Sequence, residues 1–202
     1  MSGSVLREGG NMRVIGISGS LRRGSFNTAL LRAAATLMPA GTVLEIVALD
    51  AIPLYNYDLE AEGMPAAVSA LKETIVAADA LLLATPEYNN SVPGVLKNAV
   101  DWLSRPPADS ARVFGGRPIA LLGASTGAYG TVQSQTAWLP VLRTLRMQPW
   151  FGGRLALARA GTAFDGAGVL EDEQLRAQLR EFVSGFTQFV AQSRSPKSPS
   201  SV

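Results

Sequence analysis

Thr85-Pro-Glu-Tyr-Asn-Asn-Ser-Val-Pro-Gly-Val-Leu-Lys-Asn-Ala-Val-Asp-Trp102 decides how this chain folds. It follows a short apolar run, Ala80-Leu-Leu-Leu-Ala84, that reads as a buried strand. From Pro93 onward Leu96, Val100 and Leu103 recur at helical spacing. A polar loop between a buried strand and a helix start is where α/β proteins bind ligands. This loop offers backbone donors and acceptors beside Glu87, Tyr88 and Asn89, a surface suited to a planar polar ring. Glu87 and Tyr88 also have a plain reading as solvent-facing loop residues. Lys97 and Asp101 read as a surface pair, and Trp102 as packing or a subunit contact.

The same alternation extends in both directions. Upstream, Arg13–Ile17 reads as a strand, and Ala29, Leu30, Ala33, Ala34 and Leu37 mark a helix that Pro39-Ala-Gly41 stops. Residues 42–48 form a second strand, 50–63 a loop, and Val68, Leu71 and Ile75 a helix. Downstream, residues 104–116 read as a loop and 117–123 as a fourth strand, with Pro118 at its start, where a missing N–H is tolerated. A helix from Thr131 turns Leu139, Leu142 and Leu145 inward and is kinked by Pro140. A fifth strand over 148–157 is interrupted at Gly152-Gly153, and Leu175, Leu179, Phe182, Phe186 and Phe189 line a last helix. Strands alternating with helices predict an α/β fold with helices on both faces of a parallel sheet. The expectation is a three-layer α/β/α, flavodoxin-like domain over residues 13–192, five strands in order 2-1-3-4-5, with its ligand crevice between strands 1 and 3. Residues 1–12 are expected to be a flexible N-terminus and the Ser/Pro-rich 193–202 a disordered tail.

Composition narrows the chemistry. The 202 residues include no cysteine and no histidine, which excludes thiol catalysis, disulfides and imidazole or thiolate metal sites. A reactive group then comes most simply from a cofactor. Hydrophobic residues make up 47%, enough for a full core. No apolar run approaches the roughly 20 residues that span a bilayer, and residues 1–12 hold no secretory apolar segment, so a cytoplasmic location is expected. The net charge of +2 fits a surface excess of arginine or a mild attraction to phosphates.

Loops after strands 1, 3 and 4 converge if the strand order holds. The first, Ser18 to Thr28, carries Ser18, Ser20, Ser25, Thr28, Asn27 and Arg22, groups that suit a phosphate at a helix N-terminus. It lacks the Gly-Lys-Ser/Thr ending of a Walker loop and the spacing of a dinucleotide fingerprint. As a bare connector, it would use Asn27 only as a helix cap. The third, Ala124 to Gly130, has Gly127 and Gly130 for close backbone approach. Its Tyr129 either shields a ring or closes the turn.

Gly-Ser-Leu-Arg at 19–22 with Ser25 and Asn27, Ile-Pro-Leu-Tyr at 52–55 with Asp58, Pro86 to Asn89 through Trp102, and Ser125 with Gly127 resemble the NADPH-dependent FMN reductases, on their bacterial quinone and chromate reductase side. The resemblance covers about residues 13–190. It implies FMN as cofactor and NADPH or NADH as electron donor. Ser18, Ser20, Arg22, Ser25, Asn27 and Thr28 would then hold the phosphate. Pro86, Glu87, Tyr88 and Asn89 would border the flavin ring, and Ser125 and Gly127 its polar edge. It also implies a homodimer or homotetramer, small-molecule acceptors such as quinones, flavins, chromate or azo and nitro compounds, and neither nucleic-acid nor membrane partners. The flavin carries the reaction, so no catalytic side chain is assigned. A flavodoxin-type electron carrier is the alternative, disfavoured by the positive charge. A flavin-free phosphate-binding regulator lacks its acidic cluster, because strands 1 and 3 end in Ser18 and Thr85.

Overall fold

The computed structural model describes residues 11–194. Five positions of a parallel sheet follow the order β2-β1-β3-β4-β5, with β6 also pairing with β4. The strands are β1 (Met12–Ser18), β2 (Thr42–Val47), β3 (Ala80–Ala84), β4 (Pro118–Ala124), β5 (Gln148–Pro149) and β6 (Leu155–Leu157). β1 sits between β2 and β3, Gly16 facing Ile46 on one side and Leu82 on the other. The helices are α1 (Phe26–Leu37), α2 (Tyr57–Glu62), α3 (Ala66–Val76), α4 (Gly94–Leu103), α5 (Pro107–Phe114), α6 (Val132–Thr144) and α7 (Glu173–Arg194).

β3 shows why its sequence is a continuous apolar run. Successive side chains alternate between faces. Ala80, Leu82 and Ala84 enter a core with Leu30 and Leu31 of α1 and Phe182 and Phe186 of α7. Leu81 and Leu83 enter the opposite core with Ile75 of α3, Leu96 of α4, and Trp138 and Leu142 of α6. A strand covered on both faces needs apolar residues at every position. Trp102 is fully buried, donates from Nε1 to Pro53 O at 2.9 Å and meets Tyr55 edge to face. It is therefore packing, and it pins the 52–55 loop to α4 together with Asn98.

Several elements depart from the predicted ones. Residues 107–114 are helical where a loop is expected, and α2 lies within the expected 50–63 loop. α6 turns Ser134, Gln135, Trp138 and Leu142 inward, while Leu139 is 38% exposed. Pro140 lies inside this helix, as expected. Proline removes its own N–H bond to the carbonyl four residues back and crowds that carbonyl with its ring. The fifth strand is interrupted, as expected, and forms two short segments, β5 and β6. Between them the chain leaves the ladder around Trp150, whose indole packs on Phe182 and Phe186. A Cβ at Gly152, Gly153 or Gly185 would come within 2.5, 2.7 or 2.8 Å of that indole, so three glycines seat one ring.

Of the expected N-terminal segment and tail, residues 1–10 and 195–202 lie outside the described residues. Met12 opens β1, and Ser193 and Arg194 close α7. Among the described residues no helix is long and apolar enough to cross a membrane.

Candidate functional site

The loops after β1, β3 and β4 meet at one end of the sheet because their strands are neighbours. Gly19 sets how closely the first two approach. A Cβ there would stand 2.7 Å from Pro93 Cγ and 2.9 Å from Pro86 Cδ. The third loop is joined to the first by Asn27, which is 3% exposed. Its Nδ2 donates to Ala124 O at 2.9 Å, and Ala124 N donates to its Oδ1 at 2.9 Å. Asn27 is thus not the cap of α1. Ser25 is, its Oγ accepting from Thr28 N at 3.2 Å.

The second loop is held by its own acid. Glu87 Oε2 accepts from Gln133 N at 2.8 Å and Ser134 N at 3.1 Å, at the start of α6. The residue at the cap position, Thr131, makes no side-chain cap bond, so a carboxylate 46 residues upstream supplies it. Glu87 is accordingly a half-buried brace and not a solvent-facing loop residue. Beneath it, Thr85 Oγ1 accepts from Trp138 Nε1 at 3.0 Å and bonds with Ser134 Oγ at 2.7 Å. Beyond it, Tyr88 and Ser91 exchange backbone bonds, while Asn89 and Asn90 take φ of 50° and 59°. Both central residues at positive φ make a tight two-residue hairpin, a conformation asparagine tolerates better than other side-chain-bearing residues.

These loops enclose a cleft of about 310 Å³. Eight of the expected residues line it: Ser20, Arg22, Ser25, Asn27, Pro86, Glu87, Tyr88 and Ser125. Ser18 and Thr28 line an adjoining cleft instead. Asn89 and Gly127 are exposed beside the lining residues in their loops. Phe26, Ala124 and Thr126 complete the walls. Phe26 and Ala124 have no polar signature in the sequence, and only their adjacency to Ser25, Asn27 and Ser125 points to them; Thr126 carries a hydroxyl beside Ser125 in the third loop. Tyr129 is 83% exposed and outside the lining.

The donor set at one end suits a phosphate. Arg22 spends one Nη2 bond on Gly24 O at 2.9 Å and lies 5.8 Å from the centre of the Phe26 ring. Among the described residues no acceptor faces the N–H groups of Phe26 and Asn27, the first turn of a 12-residue helix. Such N–H groups with the helix dipole form an anion site. At the other end, backbone groups of the 86–88 segment and Ser125 border a slot open at Tyr88, which is 46% exposed. The fit to FMN is therefore good at the phosphate end and permissive at the ring end. Among the described residues no cluster of acidic side chains has the makings of a metal site.

Comparison with known proteins agrees with this arrangement. The family model of the NADPH-dependent FMN reductases matches residues 12–162. An NAD(P)H-dependent FMN reductase of Pseudomonas aeruginosa is 46% identical over 171 residues, 85% of this chain and 91% of that one. A 2-hydroxy-1,4-benzoquinone reductase of a Burkholderia species is 37% identical, covering 91% and 98%. Among solved structures, the flavoenzyme NAD(P)H:(acceptor) oxidoreductase FerB of Paracoccus denitrificans superposes with a TM-score of 0.80 at 32% identity, covering 90% and 98%. With its flavodoxin-like sheet, its three converging loops and a family match over residues 12–162, this chain belongs to the NADPH-dependent FMN reductase family.

Proposed function

We propose that the chain binds FMN in the 310 Å³ cleft and works as an NAD(P)H-dependent reductase of quinones, flavins and related acceptors such as chromate, azo or nitro compounds. One observation carries this reading: three loops form a cleft with anion donors at one end and an open, polar slot at the other. FMN, when bound, supplies the two-electron chemistry. The net reaction with a quinone takes NAD(P)H and one proton to NAD(P)+ and the hydroquinone.

The side chains bind and orient. Ser20, Arg22 and the N-terminus of α1 hold the phosphate, and residues 86–89 with Ser125 and Gly127 frame the ring. Ser18 and Thr28 support the first loop from its far side. Asn27 acts as a brace between loops through Ala124. Glu87 holds its loop to α6, which accounts for an acid in the site that the reaction does not need. A domain over residues 13–192 suffices for all of this, and reaction with NAD(P)H fits a cytoplasmic enzyme. Leu54, 83% exposed on the loop pinned to α4, and Tyr57, 65% exposed at the start of α2, favour a second copy packing there, hence a homodimer or a larger homo-oligomer.

The test is an absorbance spectrum of the purified protein, then anaerobic NADPH titration and turnover with a quinone. Bound flavin that bleaches on NADPH addition and recovers with quinone is expected. Flavin that resists NADPH and stabilises a one-electron form would make the protein a carrier. A protein that stays colourless after FMN addition would sink both readings.

A further inference from the structure

Beside the first cleft lies a second of about 620 Å³, over the ends of β1 and β2. The two share Ser20 and Arg22 in their linings, so they adjoin. The second adds Arg23 and Arg32, and its wall is the 46–49 segment of β2 and the loop after it. Arg32 stands one helical turn beyond Thr28, so both project from one side of α1. Elsewhere Arg13, Arg105 and Arg112 each pair with a carboxylate. Among the described residues Arg23 and Arg32 have no such partner. Three arginines thus line one cleft with a single acidic residue, Asp50.

A dinucleotide that brings its nicotinamide to the first cleft must put its other half outside it. The adjoining cleft has the size of a ligand site, an apolar wall for a flat base and an excess of cations. We propose that this second cleft receives the adenosine end of NADPH, with Arg23 and Arg32 on its 2′-phosphate, and so sets a preference for NADPH over NADH. The inference rests on the reductase reading above. A phosphomonoester carries close to two negative charges at pH 7, and guanidinium groups bind it through charge-assisted hydrogen bonds. A free ribose hydroxyl gains little from the same arginines.

Calorimetric titration of the flavin-loaded protein with adenosine 2′,5′-bisphosphate and with 5′-AMP isolates that phosphate. The bisphosphate should bind at least tenfold tighter to the wild type. The double variant Arg23→Gln, Arg32→Gln should lose most of that difference. In steady-state assays its KM for NADPH should rise about tenfold, the lower end for hydrogen bonds to a charged group. Its KM for NADH and its kcat should stay within about twofold. Equal binding of the two nucleotides by the wild type, or discrimination that survives in the double variant, would overturn the proposal while leaving the reductase reading intact. Discrimination without turnover of either dinucleotide would uphold the cleft and remove the reductase reading.

Discussion

Replacing Asn27 with alanine separates two jobs that one side chain could have in this site. In the structure both ends of its amide are spent on Ala124, itself 3% exposed. Truncation leaves a buried N–H and a buried C=O without partners, each costing about 1–3 kcal/mol. Alanine returns up to about 0.7 kcal/mol in helix preference. Water entering from the cleft recovers part of the rest. The expected net loss is about 2–4 kcal/mol, which for a domain of this size lowers Tm by roughly 5–15 °C. The assay is urea denaturation of the FMN-free protein, followed by FMN titration. If Asn27 is a brace, the flavin-free protein is destabilised with an unchanged denaturant slope, and FMN affinity falls as well. Asn27→Asp, nearly isosteric, keeps the acceptor for Ala124 N but sets a carboxylate oxygen against Ala124 O, and should be no more stable than the alanine variant. An Asn27→Ala variant whose flavin-free stability stays within about 0.5 kcal/mol of wild type while FMN affinity alone collapses would refute the brace. Asn27 would then be a ligand of the cofactor and not a brace.

Other outcomes follow from the same geometry. Gly19→Ala forces a methyl against Pro86 and Pro93 and should cost about 1–3 kcal/mol, with weakened FMN binding; an unchanged melting curve and affinity would mean the loops do not meet there. Glu87→Ala should lower stability by about 0.5–2 kcal/mol, and Glu87→Gln, which keeps an acceptor, by less, both read from thermal unfolding. Asp109 is held below the ordinary carboxylate pKa, chiefly by its hydrogen bond from Lys72, and Glu60 likewise by Arg105. Carboxyls lowered in the folded state add stability that is complete above about pH 5, clear of their unfolded pKa values, and is lost as pH falls through the folded ones. Asp109→Asn should therefore flatten the acid limb of the stability curve, and an unaltered acid midpoint would argue against the pair.

The parts legible in the sequence were those with local pattern. β3 is read to the residue because burial on both faces makes it uniformly apolar, and the helix at 94–103 because its apolar stripe has helical period. α2 buries no residue and α5 only Val113 and Phe114, so neither carries a stripe to detect. α6 is misjudged in orientation because Ser134 and Gln135 point inward, satisfied by Thr85, Thr131 and Leu155 O. In the candidate site the polar loops were visible, but not what each side chain does. Asn27 reaches a backbone 97 residues away and Glu87 one 46 residues away. No short-range spacing encodes such bonds; they exist only once the strands have been ordered.

The break between β5 and β6 bears on a hazard that every open sheet faces. An outermost strand presents unpaired N–H and C=O groups on which another chain's strand can grow. Here that border is two residues, then a detour packed under Trp150, then three residues. Neither piece is long enough to template an intruding strand, and the indole seated on Gly152, Gly153 and Gly185 keeps the two from straightening into one. The glycine-rich interruption thus doubles as protection against aggregation on the side of the sheet remote from β2.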